Sequence, residues 1–346
     1  MQNYNIPSKE NWTGRVSNKK LYLHQKVQLQ SVASLQKAKE KTFALLGYAC
    51  DEGVKRNQGR VGAKEGSNAI RKVLGKMPNH LSIEQQLIDC GDVLCLSDNM
   101  EASQEELSKN VVQLLNQNTF PILLGGGHDI AYGHFNGIKR YLASKNKSHT
   151  IGIINFDAHF DLRSNETGNN SGTPFYQIAK ENEDFNYLCL GIRQDANDKE
   201  LFETAKKLNV DYILRDVFTM NHLDAINKQL NNFMESVDKL YITIDLDGFS
   251  SAYAPGVSAA SPMGFSPAIV IACLEKILSS KKVMSLDFAE MNPKYDRDNQ
   301  TAKLAASLIH HVIHTKFQAQ KKPPIRKAFH WFAFTCNTLF QLCVSN

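Results

Sequence analysis

Short, continuously apolar runs rich in β-formers recur along this chain, separated by segments with helical spacing. That alternation restricts the fold more than any other feature. The runs lie at 42–47 (TFALLG), 121–125 (PILLG), 151–156 (IGIINF), 187–192 (YLCLGI), 210–214 (VDYIL), 240–244 (LYITI) and 283–288 (VMSLDF). Most are apolar throughout rather than alternating, which is the pattern of strands buried on both faces. Between them, 67–74 carries Ala69, Ile70, Val73 and Leu74 at helical spacing. The segment 103–115 opens SQEEL, which predicts Ser103 as an N-cap with Glu in the first turn. Helix 267–278 follows Ser266-Pro267, a cap and a first-turn proline, and 301–313 is apolar at Leu304, Ala305, Leu308, Ile309 and Val312. Strand and helix in this order imply an α/β fold, a mainly parallel sheet covered on both faces. Ligands of such sheets bind at the carboxyl ends of the strands.

Composition narrows the function. The formal charge is +5, from 40 basic and 35 acidic residues, too small and too dispersed an excess for nucleic-acid binding. The start, MQNYNIPSKENW, lacks the pattern of a secretory signal, and before residue 328 no apolar run approaches the roughly 20 residues of a membrane span. Seven cysteines without a CxxC pair read as buried thiols in a reducing cytoplasm. Residues 1–318 read as one domain. The stretch 318–327 (QAQKKPPIRK) marks a break, and 319–346 reads as a C-terminal extension of unknown role, apolar from 328 to 344 but short for a span.

Three motifs follow predicted strands directly. Asp157-Ala-His159-Phe-Asp161 follows IGIINF, and residues at i, i+2 and i+4 of an extended chain share a face. A carboxylate–imidazole set suits a borderline divalent cation such as manganese or zinc. Asp245-Leu-Asp247 follows LYITI, and two like charges in a crevice need a cation or a proton between them. Gly125-Gly-Gly-His128-Asp129 follows PILL, a glycine turn that delivers an imidazole. Six ligands from three strand ends exceed one mononuclear site and suit two ions about 3.5–4 Å apart. A fourth element, 285–293 (SLDFAEMNP), places Glu290 where a carboxylate could hold a cationic amidinium.

These residues resemble the ureohydrolase family of arginase, agmatinase and their relatives, and among them the formiminoglutamase-like members. The resemblance runs from about residue 40 to about 315. It includes RNQGRVGA from Arg56, GGGHDIAYGHF from Gly125, NFDAHFDLR from Asn155, NSGTPF from Asn170, DLDGFSSAYAPGVSA from Asp245 and LDFAEMNP from Leu286. It implies a three-layer α/β/α sandwich, two metal ions, usually manganese, and a homotrimer or homohexamer. By the same resemblance one ion is held by His128, Asp157, Asp161 and Asp245, the other by Asp157, His159, Asp245 and Asp247.

Arg163 separates readings within the family, since formiminoglutamase-like members resemble this chain there whereas arginase-like members carry a smaller polar residue. A guanidinium can clamp a substrate carboxylate bidentately. Arg56 and Arg60 are further candidates for substrate or subunit contacts. Two departures stand out. Gly248 to Ser251 replace the usual third aspartate and proline, and no His lies between His159 and His222, where arginase-like members place a proton shuttle. The expected reaction is hydrolysis of N-formimidoyl-L-glutamate by a metal-bridging hydroxide, in histidine breakdown, with Asp161 moving the proton and Glu290 and Arg163 holding the substrate. The same residues also admit another ureohydrolase activity, a mononuclear zinc deacetylase, or a metal-stabilised protein without turnover.

Overall fold

A computed structural model of the chain describes residues 3–38, 41–145 and 149–317, so the extension expected at 319–346 lies outside the described residues. Among the described residues ten strands form one sheet: β1 Tyr4–Asn5, β2 Gln28–Leu29, β3 Thr42–Ala49, β4 Gln86–Leu94, β5 Phe120–Leu124, β6 Ile151–Phe156, β7 Asn186–Ile192, β8 Asp211–Leu214, β9 Lys239–Asp245 and β10 Val283–Ala289. Their order is β1-β4-β3-β5-β10-β9-β6-β7-β8, with β2 added beside β4. Every pairing is parallel except β1 with β4. The chain steps outward from β3 to β4 and returns past β3 to β5, and on the other side it runs outward from β6 through β7 to β8. The last two strands fill the gap between β5 and β6, so the winding reverses at the sheet centre, where α/β folds bind ligands.

Alternate residues of the strands feed two apolar layers. Leu45, Ile122, Ile154, Ile242 and Leu286 pack on one face with the helices Gly66–Leu74, Pro267–Ser279 and Gln300–Thr315. Leu46, Leu123, Ile153, Tyr241 and Ala289 pack on the other with Met100–Asn116, Ile130–Ala143 and Pro174–Glu181. This is the expected sandwich, with both faces of the central strands dry.

Two local readings change. The helix expected from Ser103 begins at Met100, because Asn99 caps it through a 3.0 Å bond from Ala102 N–H. Ser103 is instead buried, its hydroxyl donating to Leu94 O and Asn99 O. Strand β4 had no continuous apolar run to mark it, since Asp89, Gly91 and Asp92 interrupt it.

Among the described residues, no helix is long and apolar enough to cross a membrane.

Candidate metal centre

The four central strands β5, β10, β9 and β6 are neighbours and parallel, so their carboxyl ends open on one crevice. Past β5 the chain makes a turn through Gly125 (φ +81) and Gly126 (φ +78), a conformation that side chains resist. A Cβ at Gly125 would meet Ser67 N at 2.6 Å, and one at Gly126 would meet Tyr48 O at 2.7 Å. The turn is laced to the end of β10 by Gly125 N–H to Phe288 O (2.8 Å) and Glu290 N–H to Gly126 O (2.9 Å). Its product is His128, 1% exposed, aimed at the ends of β6 and β9.

His128 Nδ1 lies 3.1 Å from Asp157 Oδ2, 2.8 Å from Asp161 Oδ2 and 3.0 Å from Asp245 Oδ2. His159 Nδ1 lies 3.4 Å from Asp157 Oδ1 and 3.3 Å from Asp247 Oδ1. The structure thus brings all six expected ligands together as two constellations, His128/Asp157/Asp161/Asp245 and Asp157/His159/Asp247, which share Asp157. Asp245 belongs only to the first as placed, because its Oδ1 accepts the Asp247 N–H at 2.8 Å. His128 Nδ1 and Asp247 Oδ1 are buried without a hydrogen-bond partner. Such atoms cost free energy unless something pairs with them.

The electrostatics agree. Burial pushes the Asp247 carboxyl well above the usual range, and Asp245 beside it adds to the push. Burial likewise raises Asp161, with Asp157 contributing. Glu290 is pushed well up by burial and then by Asp245 and Asp247. Burial alone would lower His128, but Asp245, Asp157 and Asp161 outweigh it and hold the ring well above its ordinary value. These are the signs of a buried cluster with too much negative charge. The donor set, carboxylate oxygens with two imidazole nitrogens, fits a pair of divalent cations.

The cluster floors a cavity of about 340 Å³ that Arg163, Glu290, Arg60, Asn57, Asn197 and Ser258 help to line. Glu290 and Asp161 both hold left-handed backbone, φ +65 and +49, which non-glycine residues adopt only when their surroundings impose it. Glu290 Oε1 accepts the His128 N–H at 3.0 Å, while Oε2 has no partner. Arg163 reaches the cavity with Nη1 donating to Asn57 Oδ1 at 2.9 Å. Arg60 stacks on Tyr295 at 3.9 Å and donates to Val257 O and Ser258 O. Arg56 points elsewhere, paired with Glu52 and Glu101. Sequence reasoning missed Asn57 and Asn197. Asn57 sits inside the quoted RNQGRVGA motif, so only its role was hidden.

Residues 41–314 match the model of the arginase family. The chain belongs to the arginase family. Its relatives in that family include a formimidoylglutamase of Geobacillus sp. (strain WCH70), 41% identical over 308 residues, covering 88% of this chain and 94% of that one. A formimidoylglutamase of Clostridium tetani (strain Massachusetts / E88) is 42% identical over 278 residues, 79% of this chain and 82% of its own. Among solved structures, formimidoylglutamase from Bacillus subtilis subsp. subtilis str. 168 superposes with a TM-score of 0.72 at 23% identity, covering 87% of this chain and 94% of that one. Trypanosoma cruzi formiminoglutamase with Mn2+2 gives 0.69 at 23% identity, over 82% and 97%. At that identity the superpositions establish the arginase-family fold, and the residue cluster described above supports a two-metal site in this member.

Proposed function

We propose that the chain hydrolyses N-formimidoyl-L-glutamate to L-glutamate and formamide, a step of histidine breakdown, using two manganese ions. The observation that carries this is one cavity holding the His–Asp cluster, the unpartnered Glu290 Oε2 and the guanidinium of Arg163. The relatives named formimidoylglutamase at about 40% identity support the same substrate. His128, Asp157, Asp161 and Asp245 would hold one cation, and Asp157, His159, Asp245 and Asp247 the other. When bound, the cations would supply hydroxide near neutral pH.

The protein groups do the rest. Glu290 Oε2 accepts an N–H of the amidinium and sets its carbon over the cluster, with Oε1 locked by the His128 N–H. Arg163, steadied by Asn57, pairs with a carboxylate at the glutamate end. Asp161 takes the proton of the attacking hydroxide and passes it to the departing nitrogen. The bond from the formimidoyl carbon to the glutamate nitrogen breaks, the water oxygen stays with formamide, and the nitrogen leaves as the amine. No histidine shuttle is needed for this short transfer.

A cationic far end, as in agmatine, would be repelled by Arg163. The test is a substrate panel of formiminoglutamate, arginine and agmatine, scored for formamide or urea. Formamide release alone supports the proposal. Urea release assigns another ureohydrolase activity, and no turnover with two cations bound leaves a metal-stabilised protein. Asp161→Ala and Asp245→Ala abolish turnover, and activity retained in folded, metal-loaded variants would refute the assignment. The proposal includes a homotrimer or homohexamer, to be read by light scattering, and a cytoplasmic setting, which the five free cysteines among the described residues suit.

A further inference from the structure

Behind His128 runs a column of buried polar side chains that the reaction leaves unused. On β9, Tyr241, Thr243 and Asp245 share a face; on the adjacent β10, Ser285 and Asp287 share the same one, in register with Tyr241 and Thr243. His134 of the helix Ile130–Ala143 closes the column from above. His128 Nε2 lies 3.0 Å from Thr243 Oγ1, which donates to Asp287 Oδ1 at 2.6 Å. Asp287 Oδ2 accepts from the Tyr241 hydroxyl and lies 2.6 Å from His134 Nδ1. His134 Nε2 lies 2.6 Å from Ser285 Oγ, whose own proton goes to Pro121 O at 2.9 Å. All these side chains are buried, and among the described residues none of the column's atoms lacks a partner, whereas His128 Nδ1 does.

Counting protons fixes the directions. The Ser285 hydroxyl is spent on Pro121 O, so Ser285 Oγ accepts from His134 Nε2–H. One further proton lies between His134 Nδ1 and Asp287 Oδ2, which makes the pair neutral as a whole. Moving that proton to Asp287 Oδ1 would leave two bare acceptors, His134 Nδ1 and Asp287 Oδ2, facing each other at 2.6 Å, and adding a second proton would leave net positive charge in an apolar interior; both are costly. Asp287 Oδ1 therefore only accepts, Thr243 must donate to it, and Thr243 Oγ1 can only accept from His128 Nε2–H.

We propose that Thr243, Asp287 and His134 form a positioning relay that locks His128 in the Nε2–H tautomer, leaving Nδ1 bare toward the cluster. It rests on the two-cation reading of that cluster and adds three positioning residues to it. A second hydrogen bond of this kind fixes the ring and makes its free nitrogen a better donor; losing it typically loosens a metal by about 10–100-fold. His159 is outside the relay, so the effect falls on one of the two sites.

The experiment is a manganese titration of the chelator-treated full chain, comparing Thr243→Val and Thr243→Ser with the native protein. The native chain and Thr243→Ser bind two cations alike, while Thr243→Val keeps one and loosens the other by about 10–100-fold. Native-like affinity at both sites in Thr243→Val overturns the relay. No binding by the native chain overturns the underlying two-cation reading instead. Should Thr243→Val fail to fold, the nitrogen spectrum of histidine-labelled, zinc-loaded native protein decides the matter. A proton on His128 Nε2 and none on Nδ1 is expected, and the reverse contradicts the relay.

Discussion

Two buried clusters of charge sit in this sheet and obey opposite rules. Beside β4, Arg71 is fully buried and bonds Asp89 Oδ1 (3.0 Å), Asp92 Oδ1 (2.7 Å) and Gly91 O (2.7 Å). Trp12 Nε1–H completes Asp89 at 2.7 Å, and the Ser67 hydroxyl completes Asp92 at 2.7 Å. Every group there answers another, which is what keeps a buried ion pair from destabilising the fold. At the ends of β5, β6, β9 and β10, Asp157, Asp161, Asp245, Asp247 and Glu290 crowd around two imidazoles, the only basic side chains within ion-pair distance of them among the described residues, and Asp247 Oδ1, Glu290 Oε2 and His128 Nδ1 have no hydrogen-bond partner. The first cluster is closed by the chain itself. The second is complete only with something from outside, and its sign says that this is a cation.

The contrast can be broken in order of size. Arg71→Met strands two carboxylates and should cost about 3–5 kcal/mol of stability, equally with and without manganese, in urea unfolding. Chelation should lower the stability of the native chain by about 3–4 kcal/mol for each cation site that had been held at 100–1,000 times its Kd, and should leave the cost of Arg71→Met unchanged. Asp247→Asn should act in the opposite direction to Arg71→Met. It relieves like-charge crowding, so the chelated variant should be more stable than chelated native protein in urea unfolding, while gaining less from added metal.

The smallest effect lies at the end of the helix Gln300–Thr315. His314 Nδ1 faces His310 O at 2.6 Å, and Nε2 accepts the His80 N–H at 3.1 Å, so the ring must be neutral there. Burial, with His310, His80 and His311 nearby, lowers it from 6.5 to about 4. A histidine lowered on folding stabilises fully above pH 6.5, and that contribution is lost as pH falls toward 4. The melting temperature should drop across that window, and His314→Gln should flatten the drop.

Much of the site was legible because the residues that carry it directly follow apolar strands. IGIINF, LYITI and PILL each end where a ligand begins, and the carboxyl-end rule turns that spacing into geometry. What escaped reading was polar and internally satisfied. Strand β4 lost its apolar signature to Asp89 and Asp92, whose partner Arg71 lies on a separate helix. Thr243 and Asp287 look like isolated polar residues within β9 and β10, and His134 stands 153 positions from Asp287. Only the sheet register and the overlying helix bring them together. Ser103 misled as a cap because Asn99, earlier in the chain, already filled that role.

The direct test is to strip the full chain of metal and titrate it with manganese, counting bound ions by atomic spectroscopy. Saturation at two per chain, falling when Asp157 is replaced by Ala, is the predicted result. Saturation at one or none in the native protein would contradict the idea that the buried carboxylates exist to cage a cation pair.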